Sequence, residues 1–249
     1  MNRTVVITGA SSGIGRALAV EFARRGYHLG LTARRLGALE ELRDELQLLG
    51  DSERKIAIAA LDVDLTASVG PTLHSLFAEL DQVDTVVVNA GVNAFTAVGK
   101  GNLMQEQQVL QTNLLGAIAT VNAAAEHFIS AGSGGRIVGI SSLAALQAMP
   151  KQAAYCASKA GFSMYLDAAR VELKRHNIAI TKILPGFVIT EIMPKIDKYP
   201  FAVTAEQAAR EMVDVIEKGK ALGVVPAFPW KWLRPLFGHM PDALWKKLV

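Results

Sequence analysis

Tyr155 and Lys159 place a phenol and an ammonium group four residues apart, in a segment whose pattern predicts a helix over 153–176. Residues at positions i and i+4 share one face of a helix. An ammonium group about 5 Å from a phenol favours the phenolate by roughly 3 kcal/mol, which lowers the pKa of the phenol by roughly two units. We therefore expect Tyr155 to act as an acid or base near neutral pH. An ordinary exposed Tyr–Lys pair on a helix surface has the same spacing.

Two further polar residues lie where they could join this pair. Ser142 follows a predicted strand over 136–140 and precedes Tyr155 by 13 residues. That separation allows a strand end and the next helix to converge on one pocket. Asn113 lies among apolar residues of a long predicted helix over 103–130. A buried asparagine needs hydrogen-bond partners, so it is either a structural bridge or part of a site.

A glycine-rich turn follows the first predicted strand, residues 4–8. Gly9, Gly13 and Gly15 come just before a helical pattern. Without side chains, the backbone N–H groups can approach a pyrophosphate at the positive end of that helix. The spacing departs from the G-x-G-x-x-G fingerprint because position 11 is Ser. Strand, loop and helix in this order indicate a dinucleotide site, and a tight turn without ligand is the alternative.

Arg34 and Arg35 follow the second predicted strand, residues 27–32. A site for NAD usually carries an acid here that holds the ribose 2′-hydroxyl, whereas arginines suit the 2′-phosphate of NADP. The pair therefore favours NADP(H) as cofactor, with NAD(H) as the alternative. Arginines that merely begin the next helix in solvent are the other interpretation.

Short apolar runs alternate with amphipathic helical patterns along the chain, with brief links between them. The predicted strands are residues 4–8, 27–32, 55–61, 85–88, 136–140 and 179–184. This alternation predicts an α/β fold with a single-domain doubly wound parallel sheet. Such sheets bind ligands at the carboxyl ends of their strands, where Asp62, Val63, Asn89, Ala90 and Gly91 fall.

Composition narrows the function. The chain has 249 residues, 51% of them hydrophobic, which is ample for one large core. The net charge of +3 is small and both signs are interleaved, so we expect no nucleic-acid partner. Cys156 is the single cysteine, which excludes an internal disulfide and fits a reducing compartment. No signal-peptide pattern and no run of 18 apolar residues is present, so we expect a cytoplasmic protein that does not span a membrane.

These residues resemble the short-chain dehydrogenase/reductase family along most of the chain, from Thr4 to about Gly223. The matching motifs stand in the family's order and spacing: Thr8-Gly9-x-x-x-Gly13-Ile14-Gly15, Asn89-Ala90-Gly91, Asn113, Ser142, Tyr155-x-x-x-Lys159 and Pro185-Gly186. The resemblance implies an NAD(P)-binding oxidoreductase with a Rossmann-type dinucleotide-binding and catalytic domain over 1–223 and a tail over 224–249.

The resemblance also implies roles for single residues. Tyr155 would be the acid or base at the carbonyl oxygen, and Ser142 would orient the same oxygen. Lys159 would lower the pKa of Tyr155 and hold the nicotinamide ribose, while Asn113 would position a water that links Lys159 to solvent. The cofactor would lie on Gly9, Ser11, Ser12, Gly13, Ile14, Gly15, Arg34, Arg35, Asp62, Val63, Asn89, Ala90, Gly91, Tyr155, Lys159, Pro185, Gly186, Val188 and Thr190.

The chain departs from the family pattern at two positions. Val88 stands where members often have a second asparagine before Asn89. Ser12 stands where many NADP users carry a basic residue, which removes one of two supports for NADP over NAD.

Two segments bear on the substrate and on partners. Residues 187–203 fall where the family has a mobile lid, and its apolar members are Ile192, Met193, Pro194, Ile196, Tyr199 and Phe201. An apolar lid suggests a hydrophobic carbonyl or alcohol as substrate, and a lid that packs down on the cofactor is the alternative. Residues 226–237 and 241–249 hold all three tryptophans together with Lys231, Arg234, Lys246 and Lys247. Such a tail suits either a subunit contact or pocket flap, or a peripheral contact with an anionic membrane surface.

The leading hypothesis is an NADP(H)-dependent oxidoreductase that interconverts a secondary alcohol and a ketone. A catalytically silent NADP(H)-binding sensor, or a membrane-associated interaction protein, is the alternative from another class. A nucleotide-sugar epimerase would use the same Tyr-x-x-x-Lys pair, but the chain lacks a sizeable C-terminal substrate domain. The long apolar faces of 103–130 and 153–176 suggest a homo-oligomer, a dimer or tetramer, although a packed core needs similar faces.

Overall fold

The fold is taken from a computed structural model that describes residues 3–49, 53–191 and 199–238. The strands form from short runs rich in β-branched residues, and β1 and β4 are buried along their whole length, as expected for strands covered on both faces. The strands are β1 (Thr4–Thr8), β2 (His28–Ala33), β3 (Ile56–Ala60), β4 (Thr85–Val88), β5 (Gly135–Ile140), β6 (Ile178–Pro185), β7 (Val188–Ile189), β8 (Val203–Thr204) and β9 (Leu222–Val225).

Helices follow most of the strands. The α-helices are α1 (Gly13–Arg24), α2 (Leu36–Gln47), α3 (Thr66–Glu79), α4 (Leu103–Leu110), α5 (Ala117–Ala131), α6 (Ala153–Glu172), α7 (Ala205–Glu217) and α8 (Trp230–Leu233). A π-helix, Gln111–Gly116, joins α4 to α5, and 3-10 turns cover Leu143–Ala145, Leu173–His176 and Arg234–Leu236.

The main sheet has seven strands in the order β3-β2-β1-β4-β5-β6-β9, and every neighbouring pair is parallel. The predicted doubly wound parallel sheet is therefore confirmed. The strands before β1 in the sheet are added in one direction and those from β4 onward in the other, so the strand order reverses between β1 and β4. Such a point is where parallel sheets form a ligand crevice. β7 and β8 form a separate parallel pair beside it.

The core lies on both faces of the sheet. On one face α1, α2 and α7 bury side chains such as Phe22 and Met212. On the other face α3, α5 and α6 bury Phe77, Phe128 and Phe162. With a helix layer on each side, the carboxyl ends of the strands remain the open edge where a site can form.

The predicted continuous helix over 103–130 was wrong in one respect, because the π-helix Gln111–Gly116 interrupts it. The last residue of the π-helix, Gly116, packs closely on the loop after β3, since a Cβ there would be 2.7 Å from the carbonyl oxygen of Val63. By length and apolar composition alone, Leu103–Ala131 could cross a membrane. In the fold these 29 residues pack against α3 and α6 as a helix of the core layer.

Neither α7 nor β9 was predicted from the sequence. The signal for α7 was present, because Ala208, Met212 and Ile216 recur at helical spacing and are all buried. β9 is four residues long and pairs with β6 as the edge of the sheet. The predicted boundary between residues 223 and 224 falls inside this strand.

Candidate active site

A cavity of about 350 Å³ opens at the carboxyl ends of the central strands. Three sequence-predicted site residues, Gly13, Gly15 and Asn113, lie outside its lining. The others line it together: Gly9, Ser11, Ser12, Ile14, Arg34, Arg35, Asp62, Val63, Asn89, Ala90, Gly91, Ser142, Tyr155, Lys159, Pro185, Gly186, Val188 and Thr190. Residues far apart in the sequence thus share one space.

The glycine turn brings the ends of β1 and β4 close together. Gly9 has a φ of +69°, and a Cβ there would be 2.8 Å from the Cα of Ala90. The Asn89 side chain donates to the carbonyl oxygens of Thr8, at 3.0 Å, and Gly9, at 3.2 Å. The Thr8 hydroxyl accepts the N–H groups of Asn89 and Ala90. This network fixes the floor of the cavity at the crevice between the two strands.

The cavity end beside α1 suits an anionic group. Ser12 is the N-cap of α1 but makes no side-chain capping bond, and the first turn carries no acid. The free N–H groups at the start of α1 therefore carry positive partial charge. Arg34 and Arg35, both exposed, place two cations in the lining of the same cavity. The Arg35 guanidinium also donates to the Ser11 hydroxyl at 3.4 Å. The residues present fit the phosphates of a dinucleotide.

Lys159 lies on α6 and lines the cavity. Its ammonium group donates to the main-chain oxygen of Ile140 at 3.0 Å, and the residue is 6% exposed. Burial lowers the pKa of Lys159 to about 8. The Nζ atom lies 5.9 Å from the centre of the Tyr155 ring, so the predicted pair is adjacent on one helix face.

Tyr155 differs from the sequence expectation in its ionisation. Burial raises the pKa of Tyr155, while a side-chain hydrogen bond with Ser142 acts in the opposite direction. The sequence predicted that the charge of Lys159 lowers the pKa of Tyr155. That prediction left out the hydration that the phenol loses on burial, which raises the pKa. Tyr155 is therefore a protonated acid near neutral pH in this structure.

The two serines after β5 have different surroundings. The Ser141 hydroxyl bonds to Ser163, at 2.7 Å, and to the carbonyl oxygen of Lys159, at 3.1 Å, so it ties β5 to α6. The Ser142 hydroxyl accepts the N–H of Ala144 at 3.1 Å and caps the 3-10 turn that follows. Ser142 keeps its O–H for Tyr155 or for a ligand in the cavity.

Asn113 sits in the π-helix, fully buried. Its amide oxygen accepts the N–H of Val92 at 2.8 Å, and its amide nitrogen donates to the oxygens of Val92, at 2.8 Å, and Ser158, at 3.3 Å. The side chain thus bridges the loop after β4 to α6. Through Ser158 it reaches the turn of α6 that also carries Lys159.

The predicted site residues did not include a second group of lining residues, most of them apolar: Leu143, Ala144, Gln147, Met149, Gln152, Phe187, Trp230 and Phe237. Phe187 belongs to the predicted lid, and Trp230 and Phe237 belong to the tail, for which a pocket flap was one interpretation. Trp230 and Phe237 come from the tail and pack with Leu143 and Leu184. Trp230 is 8% exposed and Phe237 is 9% exposed. The N–H of Gly238 donates to the Gln147 side chain at 2.7 Å, which fastens the tail over the cavity. In the tail, the cluster of aromatic residues was the sequence signal for a contact, and it did not show which ring would face the cavity.

Several predicted lid and tail residues lie outside the described residues: Ile192, Met193, Pro194, Ile196, Trp245, Lys246 and Lys247. Of the described lid residues, Tyr199 packs on Phe187 with ring centres 4.7 Å apart, and Phe201 is 51% exposed.

A parallel sheet with a glycine turn at its crevice and a Tyr–Lys pair above defines a dinucleotide-binding oxidoreductase. Residues 3–200 match the family described as short chain dehydrogenase. The chain belongs to the short-chain dehydrogenase family, which confirms the resemblance of the motifs, and it is an oxidoreductase of that NAD(P)-binding family.

Individual proteins agree with this assignment. An uncharacterized oxidoreductase of Mycobacterium tuberculosis is 34% identical over 250 residues, covering 98% of this chain and 96% of that protein. The structure of an alcohol dehydrogenase from Thermococcus sibiricus, complexed with 5-hydroxy-NADP, matches with a TM-score of 0.80 and 25% identity over 90% of this chain and 95% of that one. A family member from Burkholderia phymatum in complex with NAD matches in fold, with a TM-score of 0.84 and 21% identity over 94% and 92%.

Proposed function

We propose that this protein is an NADP(H)-dependent oxidoreductase that interconverts a secondary alcohol and a ketone on a hydrophobic substrate. One observation carries the proposal: Ser142, Tyr155 and Lys159 line the same cavity as the glycine turn. When bound, the cofactor supplies or accepts the hydride at the reacting carbon. The chain's own residues then have to bind and orient the substrate and to exchange one proton with it.

The proton chemistry falls to Tyr155. In the direction of reduction its O–H gives a proton to the carbonyl oxygen of the substrate, and in oxidation the phenolate takes the proton of the alcohol. A raised pKa of Tyr155 keeps the acid form present for reduction. Ser142 donates its O–H to the same oxygen and so stabilises the charge that develops there.

Lys159 serves as a cation beside the phenol and as a holder of the nicotinamide ribose hydroxyls. Its charge is present below pH 8, because burial lowers its pKa to about that value. Asn113 supports a water that connects this amine to solvent protons. The Asn113 side chain itself is engaged by Val92 and Ser158, and through Ser158 it anchors the helix turn next to Lys159.

The other predicted residues hold the rest of the cofactor. The turn from Gly9 to Gly15 takes the phosphates at the start of α1, and Asp62 and Val63 flank the adenine. Arg34 and Arg35 support NADP(H), since two cations and no acid follow β2 where the 2′-phosphate would lie. Ser12 supplies no further cation.

The apolar lining of the cavity supports a hydrophobic substrate. The lining includes the apolar residues Leu143, Met149, Phe187, Trp230 and Phe237. Burial of a hydrocarbon substrate against these side chains would contribute about 25 cal/mol of binding free energy for each Å² of apolar surface removed from water.

Two partner proposals accompany this function. Exposed apolar side chains on α5 and α6, among them Ile129 (42%), Met164 (71%) and Val171 (71%), support a homo-oligomer, a dimer or tetramer.

In the tail, Phe228 (71%) and Trp232 (75%) are exposed beside basic residues and support a peripheral contact of a cytoplasmic protein with an anionic membrane surface. Equal sedimentation with anionic liposomes of the full chain and of its Trp232→Ser variant would remove the membrane proposal.

The decisive experiment measures NADPH and NADH binding in parallel and then turnover of a carbonyl panel by wild type and by Tyr155→Phe. We expect tighter binding of NADPH, turnover of apolar ketones, and loss of turnover by at least about 100-fold in Tyr155→Phe with NADPH binding retained. Tight NADPH binding with turnover of no carbonyl would instead favour the silent sensor. A panel led by small polar carbonyls would overturn the hydrophobic substrate.

A further inference from the structure

Asp64 lines the cavity but has no role in the proposed function. Both oxygens of its carboxylate accept hydrogen bonds: the Thr112 hydroxyl donates to Oδ1 at 2.6 Å, and the Gln108 side chain donates to Oδ2 at 2.5 Å. The Gln111 side chain donates to the main-chain oxygen of Asp64 at 2.8 Å. We call these three hydrogen bonds the Asp64 clamp. Two of them end on a carboxylate, and such charge-assisted bonds are stronger than bonds between neutral groups.

The Asp64 clamp joins two segments that are far apart in the sequence. Asp64 belongs to the loop between β3 and α3, whereas Thr112 and Gln111 belong to the π-helix, 48 and 47 residues later. Beside the clamp, Gly116 of the π-helix packs on Val63, because a Cβ on this glycine would be 2.7 Å from the Val63 carbonyl oxygen. The loop after β3 is therefore held against the π-helix at two successive residues.

The clamped loop holds the Asp62 side chain in a turn. The N–H of Asp64 donates to Oδ1 of Asp62 at 3.1 Å, and the N–H of Leu65 donates to the main-chain oxygen of Asp62 at 3.2 Å. Asp62 lines the cavity, and within the described residues no group donates a hydrogen bond to its other carboxylate oxygen, Oδ2. The loop thus fixes one oxygen of this carboxylate and leaves the other as an acceptor for a ligand.

A capping role for Asp64 at the start of α3 does not account for these contacts. The N-cap of α3 is Leu65, and no side chain caps that helix. The Asp64 carboxylate bonds across to α4 and the π-helix instead. Both of its oxygens are engaged within the fold, whereas Asp62 keeps one open. The clamp therefore orders the loop that carries Asp62, and a loop that is ordered before binding spares the ligand that cost.

We propose that Asp64 is a positioning residue for the adenine end of the cofactor. The clamp holds the loop so that Oδ2 of Asp62 accepts a hydrogen bond from the exocyclic amino group of adenine. This inference rests on the proposed function, in which Asp62 and Val63 flank the adenine. Asp64 acts through Asp62 and needs no contact of its own with the base.

The test compares NADPH with its deamino analogue, in which hypoxanthine replaces adenine and an oxygen replaces the amino group. In fluorescence titrations we expect the wild type to bind NADPH about tenfold more tightly than the analogue, since one charge-assisted hydrogen bond is lost. Thr112→Val removes the hydroxyl donor with little change of shape, and Asp64→Ala removes its acceptor. Both variants should reduce the preference for NADPH to about twofold or less, whereas Thr112→Ser, which keeps the hydroxyl, should retain it.

Two further variants separate positioning from a general effect on structure. Asp62→Ala should abolish the preference, and the addition of Thr112→Val should leave the remaining ratio unchanged, because the clamp acts through Asp62. Thr120→Val is the matched control, since the Thr120 hydroxyl is buried, donates to the carbonyl oxygen of Gly116 at 2.8 Å and lies outside the cavity lining. It should lower stability and leave the preference at its wild-type value.

A preference that persists in Thr112→Val and Asp64→Ala would overturn the inference, even where both nucleotides bind more weakly, and so would the absence of any preference in the wild type. Where Asp64→Ala fails to fold, Thr112→Val decides. Failure of the proposed function reads differently, as turnover that is absent or that survives in Tyr155→Phe, and neither result changes these binding ratios. NADH and deamino-NADH give the same comparison if the protein prefers NADH.

Discussion

The Lys159 ammonium group donates a 3.0 Å hydrogen bond to the main-chain oxygen of Ile140, the last residue of β5. The amine is thereby drawn under the cavity at the strand's carboxyl end, where water has little access. A single neutral acceptor does not replace the hydration that an ammonium group loses on burial. This relationship explains why burial lowers the pKa of Lys159 to about 8.

Lys159→Met should therefore stabilise the cofactor-free protein at pH 7. The lysine pKa is about 8 in the fold and near 10.5 unfolded, so the unfolded chain binds more protons between these values and stability rises with pH there. Below pH 8 the full cost is present, roughly 3 kcal/mol. Urea unfolding of Lys159→Met should show a gain of up to that size at pH 7, which disappears by pH 10.5.

Lys218→Met, at an exposed position after α7, is the control and should change little at either pH. A loss of stability in Lys159→Met that is equal at both pH values would mean that the buried amine stabilises the empty site. Such a result would contradict the prediction.

Ser142→Ala should move the pH profile of alcohol oxidation to higher pH. The hydrogen bond with Ser142 lowers the pKa of Tyr155, so its removal raises that pKa and leaves less phenolate at a given pH. The lost donor to the substrate oxygen should also reduce kcat by about 100-fold or more. Measurement of kcat against pH for the wild type and the variant checks both effects.

Ser163→Ala is the matched control for that experiment. Ser163 is buried and bonds to Ser141 at 2.7 Å, but it does not line the cavity. Its loss should lower stability and leave the pH profile in place. If both variants displace the profile alike, the effect comes from the packing of β5 on α6 and not from Ser142.

Much of this arrangement was predictable from the sequence. Strand ends in a parallel sheet meet at one edge, so the positions of Gly9, Asn89 and Ser142 after buried strands sufficed to bring them together. Helical spacing sufficed for Tyr155 and Lys159. These inferences need only local patterns and one topological rule.

The rest depends on packing between distant segments. The ionisation of Tyr155 follows from lost hydration, which requires knowledge of everything that covers the phenol. The π-helix depends on contacts of its residues with Val63 and Val92. Of the two tryptophans in α8, Trp230 is buried and Trp232 exposed, although both stand in the same composition. No local pattern distinguishes them.

Arg34→Ala and Arg35→Ala should weaken NADPH binding by roughly 10- to 100-fold each and leave NADH binding within about twofold. A charge-assisted contact with a phosphate is worth about 1.5–3 kcal/mol, and NADH lacks the 2′-phosphate. Fluorescence titration with both cofactors measures the difference, with Arg24→Ala as an exposed control outside the cavity lining. Equal weakening of NADPH and NADH would show that the arginines do not read the 2′-phosphate.

Gly15→Ala should damage the fold at the glycine turn, because a Cβ there would lie 2.2 Å from the carbonyl oxygen of Gly9 and 2.5 Å from the Asn89 side chain. The strain would break the contacts that join β1 to β4, and we expect a loss of roughly 3 kcal/mol in the free energy of unfolding. Gly37→Ala, in the first turn of α2 with no atom within 4 Å of its Cβ, should instead gain up to about 1 kcal/mol. Since both changes add one methyl group to a helical glycine, opposite signs in urea unfolding would isolate close approach as the reason for glycine at position 15, and like signs would refute it.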